Sequence, residues 1–128
     1  MRFLKISVLM LCGFCLFHFE GSAQNTTRLL IGSWYFVNQE KDKVDLSNIL
    51  TFSLEGVYTY QIAGLEGVGY WTISKNRKFL TIRNFRYTHL PQGTPENFEL
   101  AIESIDDTEL VLSRRVKKKK IKTKYRKL

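Results

Sequence analysis

Leu29-Leu30-Ile31-Gly32-Ser33-Trp34-Tyr35-Phe36-Val37 reads as a first β-strand with a glycine hinge and a tryptophan anchor. After it, short apolar runs alternate with turn chemistry at nearly regular spacing, which predicts an all-β sandwich or barrel. Leu50, Phe52 and Leu54 alternate with Thr51 and Ser53, the pattern of a half-buried strand. Glu55-Gly56 then leads into Val57-Tyr58-Thr59-Tyr60-Gln61-Ile62. Two alternating runs joined by a pair ending in glycine predict a hairpin, because glycine takes the positive φ of a tight turn. Tyr70 to Ile73, Phe79 to Arg83, Phe98 to Ile102 and Glu109 to Leu112 supply four more strands. Ala63 to Gly69 reads as a glycine-rich connection. Arg86 to Asn97, which holds His89 and both prolines, reads as a long loop of a kind often used for function. The only helix the pattern allows is one short turn near Thr26 to Leu30 or between Asp42 and Asn48.

The last residues are strongly basic. From Arg114 onward there are 10 Lys and Arg and no acidic residue, whereas residues 24–113 hold 8 basic and 11 acidic residues. The overall charge of +8 therefore belongs to the C-terminus, on a mildly acidic body. Ile121, Thr123 and Tyr125 alternate with Lys120, Lys122, Lys124 and Arg126, a period of two with a β-branched and aromatic face. This predicts an eighth, closing strand after a turn near Val116 to Lys120, in preference to a disordered tail. Outward lysines would keep such a strand's edge soluble.

The first 23 residues have another character. Arg2 and Lys5 precede an apolar run from Ile6 to Phe19, and Gly21-Ser22-Ala23 offers small residues for cleavage before Gln24. That is the layout of a secretory signal peptide, and the run is short for a spanning helix, which needs roughly 20 apolar residues. The division expected is a leader over 1–23 and one domain over 24–128. Cys12 and Cys15 both lie in the leader, without the flanking residues of a lipidation site. A cleaved chain then has no disulfide, thiol nucleophile or thiolate metal ligand, and its stability comes from a packed core.

Catalytic constellations are scarce. His89 is the one histidine after the leader and has no cysteine or spaced histidine to join it. Asp42 and Asp45 lack the spacing and glycine of a calcium loop. Glu99 and Glu103 alternate with apolar residues and face water. No phosphate loop or Gly-x-Ser-x-Gly elbow occurs. An enzyme would need Glu66, His89 or Arg83 to converge inside the barrel.

Gly32-Ser33-Trp34 after its apolar lead-in resembles the Gly-x-Trp signature of the lipocalin-like proteins. Glu55-Gly56-Val57-Tyr58-Thr59 and Gly69-Tyr70-Trp71-Thr72-Ile73 resemble further strands of the short bacterial lipocalin-like domains, in the same order. Leu80-Thr81-Ile82, Leu110-Val111-Leu112 and Tyr125-Arg126-Lys127 follow in sequence, so the resemblance spans Leu29 to Leu128. The leader's end, Ser22-Ala23-Gln24, resembles secreted proteins of Bacteroidetes-type bacteria. The resemblance implies a small antiparallel up-and-down β-barrel of about eight strands, with Trp34 plugging the closed end. It also implies a basic residue of the last strand across the Trp34 ring, with Arg126 the first choice and Arg115 or Lys127 behind it.

The expected function is a secreted or periplasmic, non-enzymatic binding protein for a small hydrophobic or amphipathic ligand, without cofactor or metal. Tyr58, Tyr60, Trp71 and Phe98 are the expected cup residues. The same aromatics would equally fill a solid core, which would make the barrel a scaffold for protein–protein contact at the envelope surface. The basic C-terminus is expected to favour an anionic membrane or glycan surface over specific nucleic acid.

Overall fold

A computed structural model describes residues 26–90 and 92–128. The signal-peptide expectation over 1–23, with both cysteines, lies outside the described residues. Eight antiparallel strands follow in chain order: β1 (Gly32–Asn38), β2 (Lys43–Phe52), β3 (Val57–Ile62), β4 (Leu65–Ile73), β5 (Phe79–Tyr87), β6 (Glu96–Ile105), β7 (Glu109–Val116) and β8 (Lys119–Arg126). Each pairs with its neighbour in sequence, and β8 returns to β1, closing the barrel. The eighth strand expected in the basic C-terminus is therefore present.

The ladders differ in length. β7 and β8 are in register along their whole length, from Glu109 opposite Arg126 to Val116 opposite Lys119. The closing seam between β1 and β8 has two register pairs, Tyr35 with Arg126 and Phe36 with Tyr125.

Local chemistry explains most of the boundaries. The β2–β3 hairpin turns on Gly56 at φ +88, and the Ser53 hydroxyl accepts from Val57 N at 3.0 Å. The β3–β4 turn is Ala63-Gly64, both at positive φ, so β4 starts at Leu65 and takes up most of the expected glycine-rich connection. Residues 42–48 do not form a helical turn. Lys43 to Asp45 pair with β1, and the register then jumps, with Phe36 opposite Asp45 but Tyr35 opposite Ile49. The β5–β6 loop is shorter than expected, because β5 runs on to Tyr87 and β6 begins at Glu96.

β1, β3, β5 and β7 all run from one end of the barrel to the other. The turns after them therefore share one end, the mouth, and the remaining turns share the opposite end with residues 26–31. That opposite end is closed by a helical turn over residues 26–30. Leu30, Trp34, Phe52, Leu80, Ile82 and Leu110 are fully buried there or just above. The Trp34 indole N–H donates to Leu30 O at 2.9 Å, which ties the helical turn to the first strand. Such a pairing matters because an unmet buried N–H costs about 1–3 kcal/mol.

The cation on the tryptophan is Lys127, not Arg126. Lys127 Nζ lies 4.8 Å from the centroid of the Trp34 ring and donates to Leu29 O at 3.1 Å and Ile31 O at 3.0 Å. Arg126 follows the inward Tyr125 and so points outward, where it pairs with Asp42 at 3.0 Å and Glu109 at 3.4 Å. Arg115, opposite Lys120, also faces outward. Alternation along β8 decides the matter: the residue that turns back under the barrel has the same parity as Tyr125.

Gly32 has a reason of its own. Its φ is +129, and a Cβ there would stand 2.9 Å from Lys127 Cε. The glycine both turns the chain from helical turn to strand and leaves room for the lysine stem beneath it.

Candidate ligand-binding cavity

Alternation places Leu50, Tyr58, Tyr60, Leu100, Leu112 and Tyr125 on the inner face of the barrel. Cross-strand register stacks them: Leu50 is opposite Tyr60, and Leu110 is opposite Tyr125. The aromatics pack edge-on, as their ring quadrupoles prefer. Phe52 meets Trp71 at 5.7 Å and 85°, and Phe98 meets Phe85 at 5.7 Å and 81°.

Two irregularities shape the mouth half. The register of β5 against β6 shifts between Ile82 and Phe85. Asn84 there has φ +53, and its N–H donates to the Asn97 side chain at 2.9 Å. Such a bulge flips the faces downstream, so Phe85 and Tyr87 turn inward and Arg86 outward. Facing them on β4 is Gly67, where a Cβ would meet the Phe85 ring at 2.2 Å. Gly67 is therefore an interior strand position that lets a phenyl ring lie across the backbone.

The result is an interior that is solid below and hollow above. A cavity of about 250 Å³ opens toward the mouth, lined by Tyr58, Tyr60, Phe85, Tyr87, Phe98 and Tyr125, with Leu50, Leu100 and Leu112 at its floor and walls. Arg114, Glu96 and Thr123 supply its polar edge. Arg114 has the inward parity of Leu110 and Leu112, and its guanidinium lies 4.7 Å from the centroid of the Phe98 ring. Among the described residues it has no carboxylate partner.

Of the four expected cup residues, Tyr58, Tyr60 and Phe98 line this cavity. Trp71 does not. It is 92% buried near the closed end, where its indole N–H donates to Ser53 O at 3.1 Å and braces the β2–β3 turn. Burial pushes the hydroxyls of Tyr58 and Tyr125 far above the usual phenol range, and that of Tyr60 upward. All three therefore stay neutral hydrogen-bonding groups at any physiological pH.

Glu66, Arg83 and His89 do not converge inside the barrel. None of them lines the cavity, and His89 packs instead beside Tyr87 with ring centroids 5.6 Å apart. Among the described residues no group of three or more His, Cys, Asp or Glu could hold a metal ion.

The described residues thus form an eight-stranded antiparallel up-and-down barrel with an aromatic-lined hollow at its mouth. Comparison with protein-family models, curated proteins and solved structures finds no match.

Proposed function

We propose that this chain is a non-catalytic, lipocalin-like binding protein, secreted through its N-terminal leader, whose barrel takes a small amphipathic ligand with an anionic group. The cavity of about 250 Å³ with Arg114 at its edge carries this reading. Ligand sites are concave and mostly apolar, with few polar groups that fix orientation, and this hollow has that composition. Its volume falls just below the roughly 300–1,000 Å³ of drug-sized sites, so the ligand is compact or short-chained. The unpaired guanidinium, partly shielded by the Phe98 face, suits a carboxylate, sulfonate or phosphate.

Native mass spectrometry of the gently purified protein tests for a resident ligand as a discrete added mass. Calorimetry with octanoate and octylamine then tests the charge preference. Octanoate is expected to bind and octylamine not, and Arg114→Gln should weaken octanoate without changing the fold. Binding of neither probe, with only the bare chain mass in the spectrometer, would favour the scaffold reading. The solid lower half of the interior speaks for that alternative.

A further inference from the structure

The mouth carries a second feature that the cavity reading does not use. The β7–β8 hairpin projects there as Val116-Lys117-Lys118-Lys119-Lys120-Ile121. Lys117 and Lys118 form its two-residue turn at φ +50 and +70. Such turns strongly favour Asn-Gly, because two consecutive positive φ values crowd any longer side chain. Lysine in both places therefore works against the local backbone preference, and strain of this kind gathers at functional positions. Lys120 is held by Glu103 at 2.6 Å. Lys117, Lys118 and Lys119 have no ion pair among the described residues.

Apolar side chains surround this charge. Val116 and Ile121 stand on the cavity rim and are 44% and 52% exposed. Leu90 in the β5–β6 loop and Leu65 at the start of β4 are also exposed, and both belong to the mouth end. The opposite end carries Asp106-Asp107 together with Lys75, Arg77 and Lys78, and the mouth also holds Glu40, Asp42 and Glu66. What marks the mouth is therefore the unbroken run of four lysines on one hairpin beside exposed aliphatic side chains.

We infer that the mouth is a docking face for an anionic phospholipid bilayer, with the lysine turn at the headgroups and Leu65, Leu90, Val116 and Ile121 at the acyl boundary. Charge complementarity names an anionic partner, and the leucines choose among anionic partners. A nucleic acid or an acidic glycan offers water-facing charge and no place for four exposed aliphatic side chains. A bilayer offers an anionic plane directly over an apolar layer, and peripheral proteins bind it by combining both contributions. This inference stands apart from the identity or existence of a cavity ligand.

All eight strands lie within residues 32–126, so a chain starting at Gln24 contains the whole barrel and no apolar leader. Sedimentation with phosphatidylcholine vesicles, with and without phosphatidylglycerol, is the test. Binding is expected only when phosphatidylglycerol is present, weakening as salt is raised. Lys117→Asn/Lys118→Gly keeps the turn geometry and removes two charges, and it should weaken vesicle binding by about tenfold or more. A Leu90→Trp variant should be quenched by lipids brominated in the acyl chain. The inference is overturned by absent binding to the anionic vesicles, by equal binding to neutral ones, or by an undiminished Lys117→Asn/Lys118→Gly. Retention on heparin or DNA without vesicle binding would overturn it too, in favour of a water-borne polyanion.

Discussion

Lys127 stands beneath Trp34 with its ammonium 4.8 Å from the ring centroid, while the same nitrogen donates to the carbonyls of Leu29 and Ile31. One side chain thus ties the far end of the chain to the helical turn and the first strand. Lys127→Met keeps the stem and removes the charge and the donors. It should destabilise the barrel by about 1–3 kcal/mol, from the cation–π contact and the two carbonyls left unmet. Arg126→Ala removes exposed ion pairs and should cost less than about 1 kcal/mol. Urea unfolding followed by tryptophan fluorescence compares them, and equal losses would contradict the assignment.

Gly32→Ala should destabilise by about 1–3 kcal/mol, since φ +129 lies where L-residues are strained. Adding Lys127→Ala clears the space for the new Cβ but leaves the backbone as it was. The double variant should therefore recover the crowding part of the Gly32→Ala loss and keep the backbone part, so it is more stable than the sum of the single losses predicts but not fully rescued. Full rescue would show that crowding alone, and not backbone conformation, keeps glycine there.

At Gly67 the relation is reversed. The conflict is between a Cβ and the Phe85 ring at 2.2 Å, with no positive φ involved. Gly67→Ala should cost about 1–3 kcal/mol through overpacking, and Phe85→Leu in the same chain should recover much of it. The coupling is read from a double-mutant cycle; strict additivity would mean that the ring simply moves aside.

The succession of strands was readable because apolar residues alternate so regularly from Leu50 to Ile62 and from Leu110 to Tyr125. The closing strand was readable for the same reason, despite its lysines. Phe85 and Tyr87 in the cavity lining were not. Counting by twos from Leu80 through Ile82 places Asn84 and Arg86 inward, and only the bulge at Asn84 reverses this to Phe85 and Tyr87. A bulge depends on tertiary partners such as Asn97, thirteen residues away, and leaves no periodic trace. Gly67 looked like loop punctuation for a related reason: the ring it accommodates comes from the next strand. Arg114 was visible in principle, two residues beyond Leu112 on the same face. Trp71 was misplaced because inward parity says nothing about depth along the barrel axis.

Acid should act through a few outer carboxylates. Hydrogen bonds from Lys120 and Ser113 hold the Glu103 carboxyl below its usual range, and backbone N–H groups of Thr108 and Glu109 do the same for Asp106. A carboxylate depressed in the folded state stabilises it above the unfolded-state pKa. That contribution is lost as pH falls through the lower folded value. Stability should therefore decline on the acid side of the ordinary carboxylate range, and carboxyl NMR should find Glu103 titrating late. Lys120→Ala should return it toward the usual value, and an unchanged Glu103 titration would count against the pair.

Lys117→Asn/Lys118→Gly should raise stability by roughly 1 kcal/mol, because asparagine and glycine tolerate the positive φ of this turn better than lysine does. The melting temperature would rise while vesicle binding falls. A drop in both would mean that the lysines support the hairpin itself.

The seam between β1 and β8 also sets a timetable. Lys127 reaches Leu29 across 98 residues of chain, and Tyr35 must await Arg126 to complete its ladder. Until β8 exists, the edge of β1 is bare and the tryptophan has no floor beneath it. β8 is the last of the eight strands in chain order, so the β1–β8 seam is the last ladder that can form. Contacts this distant in sequence make folding slow. The danger for this chain therefore lies in its unfinished form, when a neighbouring copy's edge can take the place of its own last strand.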